Sequence, residues 1–486
     1  MAIEPAKLAG LLAELKEAVG ADSVLHGPAQ LEPYGCDALT MYQRLPAAVA
    51  LPADAAQVAA ILKICHRLQV PVVTRGAGTG LSGGALPHED GVLMVTAKMR
   101  DIVRIDPLAR TAVVQPGVRN LAVSDAAARY GLFYPPDPSS QVACTIGGNV
   151  AENSGGVRCL KYGLTVHNVV ALRCLTAAGE EFEVSAADAG YDLLALLHGS
   201  EGMLAVVLEA TVALAALPEA RATMLCAFDS YQAGGDAIAA IVAAGVVPAG
   251  LEMMDGFAVE VVEEFLGLGY PKDAALVLIC ETDGLAEDAR GQLAQVERIC
   301  AGFGARDVRI AADDAERERM WRGRKAALPA VGRRATDYYC IDGTIPRHEL
   351  GATLEKISEL SKKHGLPCAN VFHAGDGNLH PLIMFHAGDE DEARRARDFG
   401  SEILAACVAA GGTVTGEHGV GVEKLNEMCL QFKEEELAMF HGVKEAFDPA
   451  GLLNPGKAIP TLQRCAEFGM MHVHDGQLAH PELERF

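Results

Sequence analysis

Pro71-Val72-Val73-Thr74-Arg75-Gly76-Ala77-Gly78-Thr79-Gly80-Leu81-Ser82-Gly83-Gly84 is the stretch that decides how this chain folds. A short β-branched strand over 70–73 runs into 74–84, where five of the eleven residues are glycine. Gly78, Gly80 and Gly83 satisfy G-x-G-x-x-G behind a strand, the pattern with which a Rossmann unit cradles a dinucleotide. That reading requires a helix to open inside the loop, yet 84–91 holds Pro87, His88, Glu89, Asp90 and Gly91 and carries no helical stripe. An NAD dehydrogenase of Rossmann type is therefore excluded. What survives is the backbone logic: residues without side chains let successive N–H groups converge on a pyrophosphate.

Working outward, Leu8, Leu11, Leu12 and Leu15 recur at helical spacing over 5–19, and Val58, Ile61, Leu62 and Cys65 repeat the pattern over 54–68. Downstream, the sequence predicts strands at 92–96 and 111–114, a helix over 118–130, a second glycine-dense loop over 145–156, and strands at 169–176 and 203–208. This is an alternating α/β unit ending near Leu217, where Pro218 breaks the pattern. Strands at 224–228 and 275–281 with helices over 231–244 and 287–303 then predict a separate α+β unit. Helices over 347–364 and 389–410 follow, the second placing Phe399, Ile403 and Cys407 on a core face.

At 486 residues the chain is too long for one compact core, and with 50% hydrophobic and 22% charged residues it is too apolar for disorder. Its 41 Lys and Arg against 64 Asp and Glu give a net charge of −23, which repels nucleic acid and anionic lipid. An anionic substrate then needs a local cation or metal. The 13 cysteines stand at least 15 residues apart with no C-x-x-C pair, so the expectation is reduced cysteines in a cytoplasmic setting, without a zinc ribbon or cysteine-held iron–sulfur cluster. No basic segment followed by an apolar core opens the chain, so no secretory signal is expected. The longest apolar run, 237–251, has 15 residues interrupted by Gly245 and Pro248. A membrane helix needs about 20, so no direct membrane span is expected and any attachment to the membrane's inner face comes through a partner.

The chemistry gathers later. In His373-Ala374-Gly375-Asp376-Gly377-Asn378-Leu379-His380 a turn rich in Gly and Asp can fold two imidazoles inward. Thr415-Gly416-Glu417-His418-Gly419-Val420-Gly421 adds a carboxylate and a third His between glycines. Two His and one carboxylate make a workable divalent-metal face. The same set describes flavin-free metal enzymes such as non-haem iron oxygenases and zinc hydrolases, which would leave both glycine loops unexplained.

Four segments resemble the FAD-binding fold of the vanillyl-alcohol oxidase and p-cresol methylhydroxylase family: the first loop, Thr145-Ile146-Gly147-Gly148-Asn149, Gly155-Gly156 with Tyr162-Gly163, and Gly199-Ser200-Glu201-Gly202. The resemblance implies an α+β fold. A two-part FAD-binding domain of p-cresol methylhydroxylase type would span 1–217 and an α+β cap or substrate domain 218–410. A C-terminal helical return over 411–460 would complete the active site, with a tail over 461–486. It also implies FAD held by Arg75, Gly76, Gly78, Thr79, Gly80, Leu81, Ser82, Gly83, Gly84, Pro136, Asp137, Thr145, Gly147, Gly148, Asn149, Asn153, Gly155, Gly156, Tyr162, Gly163, Glu201, Gly202, Val206 and Asn454. Family members with a tethered flavin often use a His in the first loop; none stands there, so FAD is expected to be non-covalent.

The His-x-Gly-Asp-Gly-Asn-x-His and Glu-His-Gly-x-Gly motifs resemble the family's 2-hydroxy-acid dehydrogenase branch. Carried over, His373, His380 and Glu417 are the expected ligands of a divalent metal (Zn, Mn or Fe), His418 the base, and Asn378 a neighbour in the catalytic set. Within Trp321-Arg322-Gly323-Arg324-Lys325, relatives place an Arg at the Arg324 position on the substrate carboxylate, and a guanidinium grips a carboxylate by two parallel bonds. His386 belongs to neither motif and is assigned to the surface. Tyr338-Tyr339-Cys340-Ile341 offers no second cation, which favours glycolate or D-lactate over D-2-hydroxyglutarate, unless Arg333 or Arg334 reaches inward. Leu453-Asn454-Pro455-Gly456-Lys457 and the tail through Phe486 are similar to the flavin-linked subunits of bacterial glycolate oxidases. That similarity implies a second flavin-fold subunit and an iron–sulfur subunit as partners, with 461–486 as the candidate docking segment.

Overall fold

The computed structural model describes residues 3–461 together with Arg464 and Cys465. The strand before the first loop, Val72–Arg75, lies at the edge of a four-stranded sheet beside Val92–Val95 and then Ala48–Ala50, all three parallel, with Val24–Leu25 antiparallel at the far edge. Helices Pro5–Val19 and Ala55–Leu68 pack on this sheet through Leu11, Leu15, Val58, Ile61 and Leu62. Asp54 caps the second helix, accepting the Gln57 N–H. The glycine loop leaves the carboxyl end of Val72–Arg75, where open parallel sheets place their ligands. No helix starts within 76–84, in line with the failed Rossmann reading.

The second half of the N-terminal unit departs from simple alternation. Its five strands, in the order Ile102–Asp106, Thr111–Val114, Val206–Ala213, Val169–Leu175 and Glu181–Ser185, form a wholly antiparallel sheet. Tight turns at Arg110 (φ 52°) and Gly179 (φ 75°) join its two hairpins. The strand expected at 203–208 starts at Val206, because Glu201 (φ 50°) and Gly202 (φ 69°) hold the chain in a turn before it. The stretch 145–156, expected to be a loop, closes instead into a helix, Ile146–Glu152. Ile146 and Val150 are buried beneath it, and a Cβ on Gly147 would stand 2.7 Å from the Pro116 Cβ. The glycines are there for close packing, a tertiary demand that propensity does not register.

Beyond residue 217 a seven-stranded antiparallel sheet runs in the order Arg306–Ile310, Ala220–Phe228, Leu276–Gly284, Gly250–Asp255, Cys368–Phe372, Pro381–Phe385, Asp337–Cys340. Helices Tyr231–Ala243, Ala286–Gly302, Leu350–His364 and Glu390–Ala409 cover one face, burying Phe399, Ile403 and Cys407 as the spacing predicts. Gly256–Leu266, Asp314–Lys325 and Ala327–Val331 cover the other. The central strands are buried on both faces. Helices Leu425–Gln431 and Glu434–Phe447 then carry the chain back to the first sheet, where the Val72 N–H donates to the Leu452 carbonyl and the Asn454 N–H to the Val72 carbonyl, each at 2.8 Å.

One expectation about cysteines is corrected. Cys429 and Cys465 form a disulfide, while eleven cysteines are free among the described residues. Sequence spacing gives no sign of the pair because helix Leu425–Gln431 and the residues after Pro460 meet only through the fold. Apart from Thr461, Arg464 and Cys465, the tail assigned to partner docking lies outside the described residues. Among the described residues no helix is long and apolar enough to cross a membrane.

Candidate active site

Strand Cys368–Phe372 delivers His373 to a tight turn closed by a bridge between His373 and Asn378; Gly377 turns it at φ 80°, where a side chain would collide with the Ile345 carbonyl. Asn378–Leu379 pairs with Gly343–Thr344 and presents His380. The two imidazoles meet edge to face with centroids 4.9 Å apart, and His418 stacks on His380 at 4.8 Å. Glu417 Oε1 lies 3.2 Å from His373 Nε2 and 3.4 Å from His380 Nε2. Ligand atoms of His373, His380 and Glu417 fall within 4.8 Å of one another, as do those of Asp342, His380 and His418.

The Glu417–His418 loop has no regular structure of its own, and a buried carboxylate holds it. Asp342 accepts the backbone N–H groups of Gly416 (3.1 Å), Glu417 (3.1 Å) and His418 (2.9 Å), with the Thr415 hydroxyl (2.6 Å) and Lys424 Nζ (3.0 Å). Burial raises the cost of its charge, but Lys424, His418 and His380 together keep its carboxyl well below the usual range. From the other side Glu201 accepts the N–H groups of Val420 and Gly421, both at 2.7 Å. A side chain on Gly421, at φ 53°, would strike the Ser82 carbonyl, so glycine lets this loop lie against the first one.

Burial opposes the charge on Glu417 as well, yet His373, His380 and His418 hold its carboxyl down at about 2. Burial lowers and the carboxylates of Glu252 and Glu417 raise the His373 imidazole, with the carboxylates prevailing. Burial pushes His418 down to about 4, with Asp342 opposing it, so this imidazole is neutral near pH 7. Its Nδ1 is buried with no hydrogen-bond partner, and His380 Nε2 makes no hydrogen bond. An unspent His380 nitrogen beside a charged carboxylate is a donor pair that a divalent cation takes, and the unspent His418 nitrogen is left to accept a proton.

His380, Glu417 and His418 border a cavity of about 530 Å³ that both glycine-rich segments also line, while His373 stands behind them outside its lining. Of the residues expected at FAD, Gly76, Gly78, Thr79, Gly80, Leu81, Gly84, Thr145, Gly147, Gly148, Asn149, Glu201, Gly202 and Val206 line it, joined by His380, Glu417, His418 and Arg324. Two buried hydroxyls of this wall, on Thr74 and Thr145, lack a partner, which fits a polar ligand between them.

The remaining expected residues are not in that wall. Arg75 runs behind the loop, its guanidinium against Gly78 and donating to the Cys36 carbonyl. Ser82 joins the loops, its carbonyl accepting the N–H groups of Val422 and Glu423; Gly83 abuts Val422. Asn454 donates to the carbonyls of Gly84 and Glu201. Asp137 pairs with Arg158 and packs on Gly156, while Pro136 and Gly155 are buried in the adjoining irregular segments. Asn153 accepts the Val166 N–H, Tyr162 donates to Asp283, and Gly163 abuts His167. Asn378 packs against Gly416 with its Oδ1 buried and unpartnered. His386 pairs with Glu392 at the surface.

Arg324 is buried on an otherwise charged and largely exposed helix, with Nη2 2.6 Å from Glu252 Oε2. Arg333 lies over the Phe265 ring and Arg334 pairs with Glu260 and Glu264, so neither reaches the cavity. Sequence reasoning missed Asp342, Lys424, Glu252 and the cavity-lining Glu152. The available signal was a charge inside an apolar run: Glu252 in Leu251-Glu252-Met253-Met254 and Asp342 after Cys340-Ile341.

Comparison with known proteins agrees with this architecture. Residues 46–185 match the FAD binding domain family and 217–458 the C-terminal domain of FAD linked oxidases. The chain is 55% identical to the glycolate oxidase subunit GlcD of Escherichia coli, covering 98% of this chain and 96% of that one. It is 34% identical to a D-lactate dehydrogenase of Archaeoglobus fulgidus, covering 85% of this chain and 91% of the other. Among solved structures, p-cresol methylhydroxylase superposes with a TM-score of 0.77 at 15% identity, covering 95% of this chain and 98% of that one, which supports the fold alone. Both halves of the chain, and the full-length likeness to the Escherichia coli protein, place it in one family: this chain belongs to the FAD-linked oxidases.

Proposed function

We propose that the chain oxidises a small 2-hydroxy acid, glycolate to glyoxylate before D-lactate, with non-covalent FAD as the immediate acceptor and partner subunits as the next. The observation that carries this reading is that both glycine-rich segments and His380, Glu417 and His418 of the imidazole–carboxylate cluster face one cavity. The curated relatives named above act, by their names, on glycolate and D-lactate. Bound FAD supplies an acceptor for the hydride of the α-carbon. A divalent cation on His373, His380 and Glu417 supplies a Lewis acid that makes the hydroxyl proton easier to remove.

The chain's own residues do the rest. Arg324 grips the carboxylate, and neutral His418 takes the hydroxyl proton. Leu328, Tyr338, Cys340 and Val371 line the same cavity and offer no cation to a second carboxylate, which favours a monocarboxylate, whereas Lys325 in the same lining is the group a dicarboxylate would use. No C-x-x-C pair exists to carry electrons onward within this chain, so we assign the acceptor to a group outside it, on a partner subunit. The GlcD relative is itself named as a subunit.

Anaerobic mixing of the purified yellow protein with glycolate, D-lactate, L-lactate and D-2-hydroxyglutarate tests the reading. Glycolate should bleach the flavin fastest; bleaching by none of the four, or activity in a colourless protein, would contradict it. Arg324→Met should raise KM for glycolate by about 10- to 100-fold, the worth of a lost charged hydrogen bond, measured by dye reduction. Burial pushes the cavity's Cys144 thiol up, so it is protonated and a poor nucleophile toward a flavin. Acid precipitation should therefore leave the FAD in the supernatant.

A further inference from the structure

Strand Gly250–Asp255 is buried along its whole length, and Leu251, Met253 and Met254 belong to the cores on its two faces. Glu252 is the exception in its middle, 1% exposed. A carboxylate in such a place is costly unless paired, and this one is paired twice. Its Oε1 accepts from His373 Nδ1 at 2.7 Å, and its Oε2 forms an ion pair with Arg324 Nη2 at 2.6 Å. The second contact is not aligned as a hydrogen bond, and Arg324 Nε has no partner, so guanidinium N–H capacity remains for another anion. Glu252 does not line the cavity.

We propose that Glu252 is a shared positioning residue: one carboxylate sets the imidazole of His373 for metal binding and, with its other oxygen, aims Arg324 at the substrate carboxylate. The Arg324 half of this statement rests on the function proposed above; the His373 half does not. Accepting from Nδ1 fixes which nitrogen of His373 keeps its proton, so that Nε2, 3.2 Å from Glu417, is the one that gives up its proton to bind a metal. Holding Nη2 anchors a long side chain at the end of helix Asp314–Lys325, so less freedom is lost when an anion binds it. Metal affinity and substrate affinity therefore share one support, although the two supported side chains come from different elements.

The test is Glu252→Gln in the full-length, flavin-loaded protein. Zn²⁺ affinity, read by competition with a chromogenic chelator in the absence of substrate, should weaken by about 10- to 100-fold, the usual cost of losing a carboxylate behind a metal-bound histidine. With Zn²⁺ saturating, KM for glycolate should rise at least about tenfold while kcat falls by less, and FAD content should stay at the wild-type level. A purely structural role would lower kcat and FAD content without moving KM. If E252Q melts early, Glu252→Asp, which keeps the charge a methylene short of both partners, is read in the same two ways. Wild-type Zn²⁺ affinity or wild-type KM in the variant that folds overturns the proposal. A wild-type protein that glycolate does not bleach overturns the functional reading instead, and the Zn²⁺ arm still reports on Glu252 and His373.

Discussion

His418→Ala lowers glycolate turnover by about 10²- to 10⁴-fold, the range for removing a positioned general base, and leaves FAD bound. The expectation follows from three features of one imidazole. It is stacked on His380, so its plane is fixed; its Nδ1 is buried without a partner; and burial holds it neutral near pH 7, as a proton acceptor must be. The backbone of residue 418 is held by Asp342 through main-chain N–H, which the substitution retains, so the loop should keep its path. Steady-state dye reduction, with the FAD spectrum as the control, measures the loss. A variant within threefold of wild type would assign the proton to another group.

Lys424→Met lowers the stability of the flavin-loaded protein by about 3–5 kcal/mol, the cost of breaking a buried ion pair from one side. Lys424 is fully buried, and its Nζ meets Asp342 Oδ2 at 3.0 Å and the Gly419 carbonyl at 2.8 Å. Removing it leaves Asp342 charged and enclosed at the point where the Glu417–His418 loop is tied down. Burial already raises the neighbouring Glu423 to about 7, with Lys424 opposing the rise, so that acid would be pushed further toward its neutral form. Urea unfolding followed by flavin release reads the effect. As a control, Lys363→Met removes an exposed partner of Glu402, 2.6 Å away, and should cost less than about 1 kcal/mol.

Much of this architecture is legible in the sequence because it is local. Pro5–Val19 and Thr111–Val114 follow the apolar spacing residue for residue, and the residues after Gly84, with a proline and no apolar stripe, are enough by themselves to exclude a Rossmann unit. The two histidine-bearing motifs meet because each is a short turn between strands or glycines. What sequence does not disclose is set by tertiary contact. Helix Ile146–Glu152 exists because Gly147 lets it approach Pro116, against its local propensity. Val206–Ala213 alternates buried and half-buried residues as a strand does, but that alternation does not say that its antiparallel partners are two distant strands. Glu252, Asp342 and Lys424 act through partners about 70 to 120 positions away, so each reads in isolation as a misplaced charge.

The most direct measurement is a crystal structure of the FAD-loaded protein with Zn²⁺, the ion located by its anomalous scattering. The account predicts one ion about 2.0–2.2 Å from a nitrogen of His373, a nitrogen of His380 and an oxygen of Glu417, with the flavin ring in the cavity in front of His418. An ion bound elsewhere, or a flavin that leaves His418 outside its cavity, would contradict it.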